Sequence, residues 1–294
     1  MWDIRIILLT FLCVALYTGQ AFCNRLFSGN YKGSPDIATP VFSSVYGVLV
    51  AVVTLLLNGG RFSPSLPTVF FGMGNGVILF LYNLGMIQAA RRGPYTFQSI
   101  MMLFGNVVVC LLFAALFWGD HITGLQLLGI AVMLAAFVVL NAGGLRFTGV
   151  KKGYFFWVIS LFLTNGFYGV VMDAQQRTIS DERNEMILLI FLSLAVISLG
   201  YMLILHRNGL REAYAMGKRA ALSAVASSLC AAFAVYLLML LLQSVPSYIL
   251  YTVVNGGVLV FSAVLSFVIL KEKPTKMTLV GVALSAASIV LLSL

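Results

Sequence analysis

Apolar residues run through this chain in long, nearly unbroken stretches. Ten of them, at 4–25, 38–58, 66–90, 94–117, 122–141, 153–176, 185–205, 217–242, 246–270 and 276–294, read as helices that cross a bilayer, since about 20 apolar residues span its hydrocarbon core. Polar and turn-forming residues gather between the stretches. Pro35, Pro64, Pro67, Pro94, Pro246 and Pro274 stand in loops or at helix starts, where a missing N–H costs little. Pro40 also falls in the first turn of a predicted helix, at its third position.

The pattern repeats. Displacing the chain by 152 residues lays Pro94 on Pro246, Gly105 on Gly257, Asp120 on Glu272, Thr123 on Thr275 and Gly129 on Gly281 without a gap, and Arg25 on Arg177. The expected fold class is all-α integral membrane: ten transmembrane helices as two inverted five-helix repeats, 1–147 and 148–294. Five is odd, so the second repeat must sit upside down relative to the first, the arrangement of secondary transporters. A glycine-bearing connector at 141–152 joins them. The first apolar stretch has a repeat partner and is read as a helix, not as a cleaved signal.

Polar residues inside such helices are expensive in lipid and mark candidate chemistry. In the first helix Thr10, Cys13, Tyr17, Gln20 and Asn24 recur at spacings of three and four, hence on one face. The repeat carries that face onto Phe162, Asn165, Gly169, Met172 and Gln176, bordered by Tyr168 and Asp173. The fourth helix adds Tyr95, Gln98, Ser99 and Asn106, and the ninth Tyr248, Tyr251, Thr252 and Asn255. Asn75, Tyr82 and Asn83 in the third and Ser227 and Tyr236 in the eighth complete the set. The expected solute-binding residues are Tyr17, Gln20, Asn75, Tyr82, Gln98, Asn106, Asn165, Tyr168, Tyr248, Tyr251 and Asn255. Amides, hydroxyls and rings without fixed charge suit a small neutral or zwitterionic organic solute. Each aromatic taken singly reads as packing; only convergence argues for a site.

Small residues four apart, at Gly72 and Gly76, at Ala220, Ala224, Ser228 and Ala232, and at Ala131 and Ala135 with their repeat mates Ala283 and Ala287, read as surfaces where helix backbones approach closely. Gly72, Gly74 and Gly76 together also offer a flexible segment for gating.

The composition is 61% hydrophobic and 9% charged, with mean hydropathy +1.02. Lipid must be the solvent for so apolar a chain. The net charge of +9 lies in loops and calls for no nucleic acid. Fourteen Lys and Arg, among them Arg25, Arg91, Arg146, Arg207, Lys271 and Lys273, fall on one side of the membrane, against Arg5, Arg61, Arg177 and Arg183 on the other. Positive residues stay cytoplasmic, so both termini are expected outside. Cys13, Cys23, Cys110 and Cys230 lie in apolar runs with no ligand set around them, and His121 and His206 lie near helix ends. No cofactor or metal is expected, and no catalytic motif is present. Asp173 is the one carboxylate with a route to the interior. It is either a proton relay or the i,i+4 partner of Arg177, and the second reading is favoured.

The stretches FWGDHITGLQLLGIAVMLAAFVVL (117–140) and LKEKPTKMTLVGVALSAASIVLL (270–292) resemble the repeat endings of the drug/metabolite transporter superfamily, specifically its ten-helix EamA-type members. Each repeat there ends in an acid, a turn, a Thr or Ser and a Gly-bearing helix. The resemblance implies a cavity lined by helices 1, 3, 4, 6, 8 and 9, with 2, 5, 7 and 10 outside, and alternating access by two rocking five-helix units. It also implies a bacterial inner (plasma) membrane location. The chain departs from the family at Gly105 and Gly257, where a Pro is common, and in the termini, which the family keeps in the cytoplasm. A non-transporting membrane protein, a channel or an assembly scaffold, is the competing class.

Overall fold

The computed structural model describes residues 3–33, 35–141, 149–205, 210–214, 216–268 and 275–293. Gly143, Gly144, Arg146, His206, Arg207, Lys271, Glu272, Lys273 and Pro274 lie outside the described residues. The described residues form α1 (Ile4–Asn30), α2 (Pro35–Leu57), α3 (Leu66–Ala90), α4 (Tyr95–Leu116), α5 (Gly124–Asn141), α6 (Tyr154–Thr178), α7 (Arg183–Leu205), α8 (Leu210–Ala213), α9 (Lys218–Leu241), α10 (Ser247–Val268) and α11 (Lys276–Ser293), with no strand among them. Among these residues nine helices are long and apolar enough to cross a membrane, and Lys276–Leu292 is a shorter apolar helix. The chain is an integral membrane protein.

The helix starts follow from local chemistry. Asp3 Oδ1 accepts the Ile6 N–H at 2.8 Å and caps α1. Thr123 and Gln126 form a reciprocal capping box at the head of α5, Gln126 N donating to Thr123 Oγ1 (3.3 Å) and Thr123 N to Gln126 Oε1 (3.0 Å). Thr275 repeats the cap on α11 by accepting the Thr278 N–H at 3.1 Å. Thr123 and Thr275 are thus both helix caps. α1 outruns its apolar stretch to Asn30 because Phe27 is buried against Ala220 and Ala224. α2 begins at Pro35, which puts Pro40 in the second turn and not the first.

Packing pairs helices far apart in sequence. α1 lies along α9 and α6 along α3; α4 packs on α6 and α10 on α1; α2 meets α7, α5 meets α11 and α4 meets α10. Two bundles result, α1, α2, α9 and α10 in one and α3, α4, α6 and α7 in the other. Ala220, Ala224, Ser228 and Ala232 are all buried on α9. Gly72 and Gly76 let α3 close on Leu189 and Ser193 of α7, while Gly74 faces open space. Ala131, Ala135, Ala283 and Ala287 are exposed. The α5–α11 contact runs instead through Gly129 against Leu292 and Gly281 against Leu140. Gly105 and Gly257 seat α6 and α1: a Cβ on Gly105 would strike the Phe162 carbonyl, and one on Gly257 would stand 2.8 Å from Val14.

Candidate functional site: a cavity between the two bundles

The polar face of α1 and the middle of α6 converge on one open cavity of about 390 Å³. Tyr17, Tyr46, Asn165 and Tyr168, near the middles of α1, α2 and α6, line one part of it. Near the α1–α2 turn, Asn24, Phe27, Ser28, Ala38 and Thr39 border it. Amides, hydroxyls and aromatic rings line it, and none of the lining residues carries a charge.

Hydrogen bonds hold the lining in place. Gln20 Nε2 donates to the Tyr46 hydroxyl at 2.9 Å, and Ser227 Oγ to Asn24 Oδ1 at 2.6 Å. Asn165 Nδ2 donates to the Met102 carbonyl at 2.7 Å, tying α6 to α4. Tyr82 donates to Met102 Sδ (2.6 Å), and Asn83 Nδ2 to Ser43 Oγ (3.0 Å). Amides anchored at one atom keep the other for a guest, and their orientation is fixed in advance.

Of the residues singled out from sequence, Tyr17, Gln20, Tyr82, Asn165 and Tyr168 line this cavity together. Asn75 is fully buried beneath it and donates to the Tyr168 carbonyl at 3.2 Å. Gln98 is buried with Nε2 on the Met86 carbonyl at 3.1 Å. Asn106 faces Cys110 and Gly169. Tyr248 is buried with its hydroxyl 3.4 Å from Gln126 Oε1, and Tyr251 donates to the Gly169 carbonyl at 3.2 Å. Asn255 has a buried, unpartnered Nδ2. These last six stand outside the cavity lining in this conformation. α2 and α7, which the family resemblance put outside, supply Thr39, Phe42, Ser43, Tyr46, Phe191 and Leu194. Thr39, Ser43 and Tyr46 sit at spacings of four and three, so the stripe argument used for α1 would have found them.

Asp173 lies away from the cavity. It is 1% exposed and accepts Arg177 Nε at 3.1 Å. Ser247 stands close to the carboxylate, yet Oδ2 makes no hydrogen bond. Arg177 also grips Asp120 with both terminal nitrogens, at 3.1 and 2.7 Å, and stacks 4.4 Å over Trp118. The i,i+4 pair expected from sequence is present, but its carboxylate is buried rather than at the membrane surface. Among the described residues no group of His, Cys, Asp and Glu is placed to hold a metal.

The face where α6 ends is shut. Ser65 donates from N and Oγ to Glu182, each at 2.8 Å, and Asn58 donates to Glu185 at 2.9 Å. Gln243 Nε2 donates to Gln176 Oε1 at 3.3 Å, and Arg183 lies 5.4 Å over the Tyr236 ring.

Residues 152–294 match the model of the EamA-like transporter family. A solved crystal structure shares the fold over nearly the whole length, with a TM-score of 0.78 and 19% identity, covering 99% of this chain and 98% of that one. None of the curated proteins compared with the chain matches it. The family match is consistent, over the second half of the chain, with the resemblance to the drug/metabolite transporter superfamily read from the repeat endings, and the solved structure shows the shared fold alone.

Proposed function

We propose that this chain, whose residues 152–294 match the EamA-like transporter family, is a ten-helix secondary carrier that moves a small neutral or zwitterionic organic solute by alternating access. The observation that carries the reading is the uncharged, amide- and aromatic-lined cavity, open at one face and shut at the other. A channel needs a continuous polar path, and the closed face argues against one. Burying apolar area against Phe42, Tyr46 and Phe191 gives affinity, while Gln20, Asn24, Asn83 and Asn165 select by hydrogen bonding. A strongly cationic solute would meet no carboxylate in the lining.

The exchange of packing partners supports two inverted repeats, 1–147 and 148–294. α1 on α9 becomes α6 on α3 under the 152-residue shift, and Gly129 on Leu292 becomes Gly281 on Leu140. The same contacts favour the two mixed bundles as the moving bodies, because each sequence half is divided between them. Asp173, paired and remote from the cavity, favours facilitated diffusion or exchange over proton coupling.

A thermal-shift screen of the purified protein against neutral and zwitterionic metabolites tests the reading, since a ligand that binds the folded state raises its melting temperature. A hit should compete for uptake into proteoliposomes, and that uptake should saturate. Flux that rises linearly with solute at all concentrations would refute the carrier.

A further inference from the structure

The lining of the open cavity has two parts that differ in kind. One is a run of rings. Phe27 of α1 packs on Phe42 of α2 with centroids 4.9 Å apart. Phe42 stacks on Tyr46 at 5.2 Å with 24° between the planes, and Tyr46 meets Phe191 of α7 edge-on at 5.4 Å. All four line the cavity. Phe27, Tyr46 and Phe191 are buried, whereas Phe42 is half-buried. Its neighbours fix the plane of Phe42 and leave it able to take one more ring.

The other part is a set of amides whose polarity is legible. The Met102 carbonyl can only accept, so Asn165 must turn Nδ2 toward it (2.7 Å), which leaves Oδ1 for the cavity. Gln20 Nε2 on the Tyr46 hydroxyl and Asn83 Nδ2 on Ser43 Oγ leave two more carbonyl oxygens with no partner among the described residues. Asn24 is bound the other way round, its Oδ1 accepting from Ser227. Three amides thus offer oxygen, against one that offers nitrogen. The matching guest carries N–H or O–H donors.

Charge narrows the guest further. No lining residue is charged. An ammonium or carboxylate held there would lose its hydration with no opposite ion to replace it. A sugar is neutral and rich in donors but has no π-face to lay on Phe42. The volume of about 390 Å³ lies at the small end of ligand sites and suits one ring or two fused rings. We propose that the cavity binds a neutral, planar nitrogen heterocycle with N–H donors, of the nucleobase class. Its face lies on Phe42 and its N–H edge on the free oxygens of Asn165, Asn83 and Gln20. Proteins that hold single bases use this combination of ring stacking and edge hydrogen bonds. The proposal rests on the transporter reading for what binding achieves, and it narrows the solute of that reading to the neutral, flat kind.

Equilibrium dialysis of the purified full chain in lipid nanodiscs against radiolabelled adenine tests it. Three competitors separate the features: a trimethylated adenine with no N–H left, phenylalanine as an aromatic zwitterion, and ribose as a neutral donor without a π-face. Adenine should bind, and each competitor should displace it about tenfold less well than unlabelled adenine. This ranking needs no variant. Phe42→Leu, which keeps an apolar side chain and removes the ring, should weaken adenine binding about fivefold or more. Asn165→Ala should shrink the preference for adenine over its trimethyl analogue by about the same factor, a change that loss of the Met102 tie alone would not produce. Melting curves matching the wild type identify the folded variants. No adenine binding at about 1 mM, or phenylalanine or ribose outcompeting adenine, would overturn the proposal. So would a preference left unchanged in both folded Asn165→Ala and Asn83→Ala proteins. Saturable uptake of phenylalanine without adenine binding would strike out the heterocycle and leave the carrier standing. Adenine bound and never carried would do the reverse.

Discussion

Asn165 and Gln20 each spend one amide atom on the protein and present the rest to the cavity. Losing a buried hydrogen-bond partner costs about 1–3 kcal/mol. Asn165→Ala or Gln20→Ala should therefore weaken solute binding about five- to a hundredfold in a titration, with a monodisperse, folded protein. Asn255 makes the contrasting case. Its buried Nδ2 has no acceptor and the residue lines no part of the open cavity. Asn255→Ala should leave equilibrium binding at this mouth unchanged and slow transport if the solute passes α10 later; weakened binding would show that α10 reaches the guest in this state. Asp173 is buried and held by Arg177. Asp173→Asn should cost about 1.5–3 kcal/mol in melting experiments, the usual worth of a hydrogen bond to a charged group. Wild-type uptake should be the same with and without a pH gradient. Gradient-driven accumulation lost in the Asn variant would instead make Asp173 a proton carrier.

At the scale of the helix, close approach decides tolerance. Gly281 seats Leu140, so Gly281→Leu should overpack the α5–α11 contact and destabilise the protein by about 1–3 kcal/mol. Gly74 meets nothing within 4 Å, and Gly74→Ala should be neutral or slightly stabilising in the same melt. A large loss at Gly74 would revive it as a gating hinge. The helices themselves were legible in the sequence, because hydropathy alone decides what enters lipid: α3 starts and ends at the predicted residues, Leu66 and Ala90. Their partners were not. Small residues at Ala131 and Ala135 pointed to a packing face, yet that face looks outward and Gly129 makes the contact. Hydropathy cannot tell a side that meets lipid from one that meets an equally apolar helix. The cavity was half legible for the same reason. Polar stripes on α1 and α6 stood out against their surroundings, whereas Phe42, Phe191 and Leu194 line the cavity with side chains indistinguishable from core.

For the molecule as a whole, the charge bias gives an expectation of which face is which. Of the four basic residues at the sealed face, Arg177 is neutralised by Asp120 and Asp173, and Arg183 lies on Tyr236. The count of Lys and Arg alone, fewer at this face, gives the expectation that the mouth is cytoplasmic. A single cysteine at Lys152 should react with an impermeant maleimide only after cells are permeabilised, and one at Arg61 in intact cells. The reverse pattern would turn the molecule over. The pairing of α1 with α9 also has a consequence for how the protein is made. Ribosomes add roughly 5–20 residues per second, so α1, complete at Asn30, waits on the order of 10–40 s for α9 to end at Leu241. During that wait Asn24 lacks Ser227 and, with the rest of its bundle not yet made, is open to lipid or to insertion machinery. Neither half can complete a bundle alone. Residues 1–147 and 148–294 expressed separately should each be degraded within minutes in a pulse-chase experiment, and co-expressed they should protect one another, because α1 packs on α9 and α3 on α6, across the two halves.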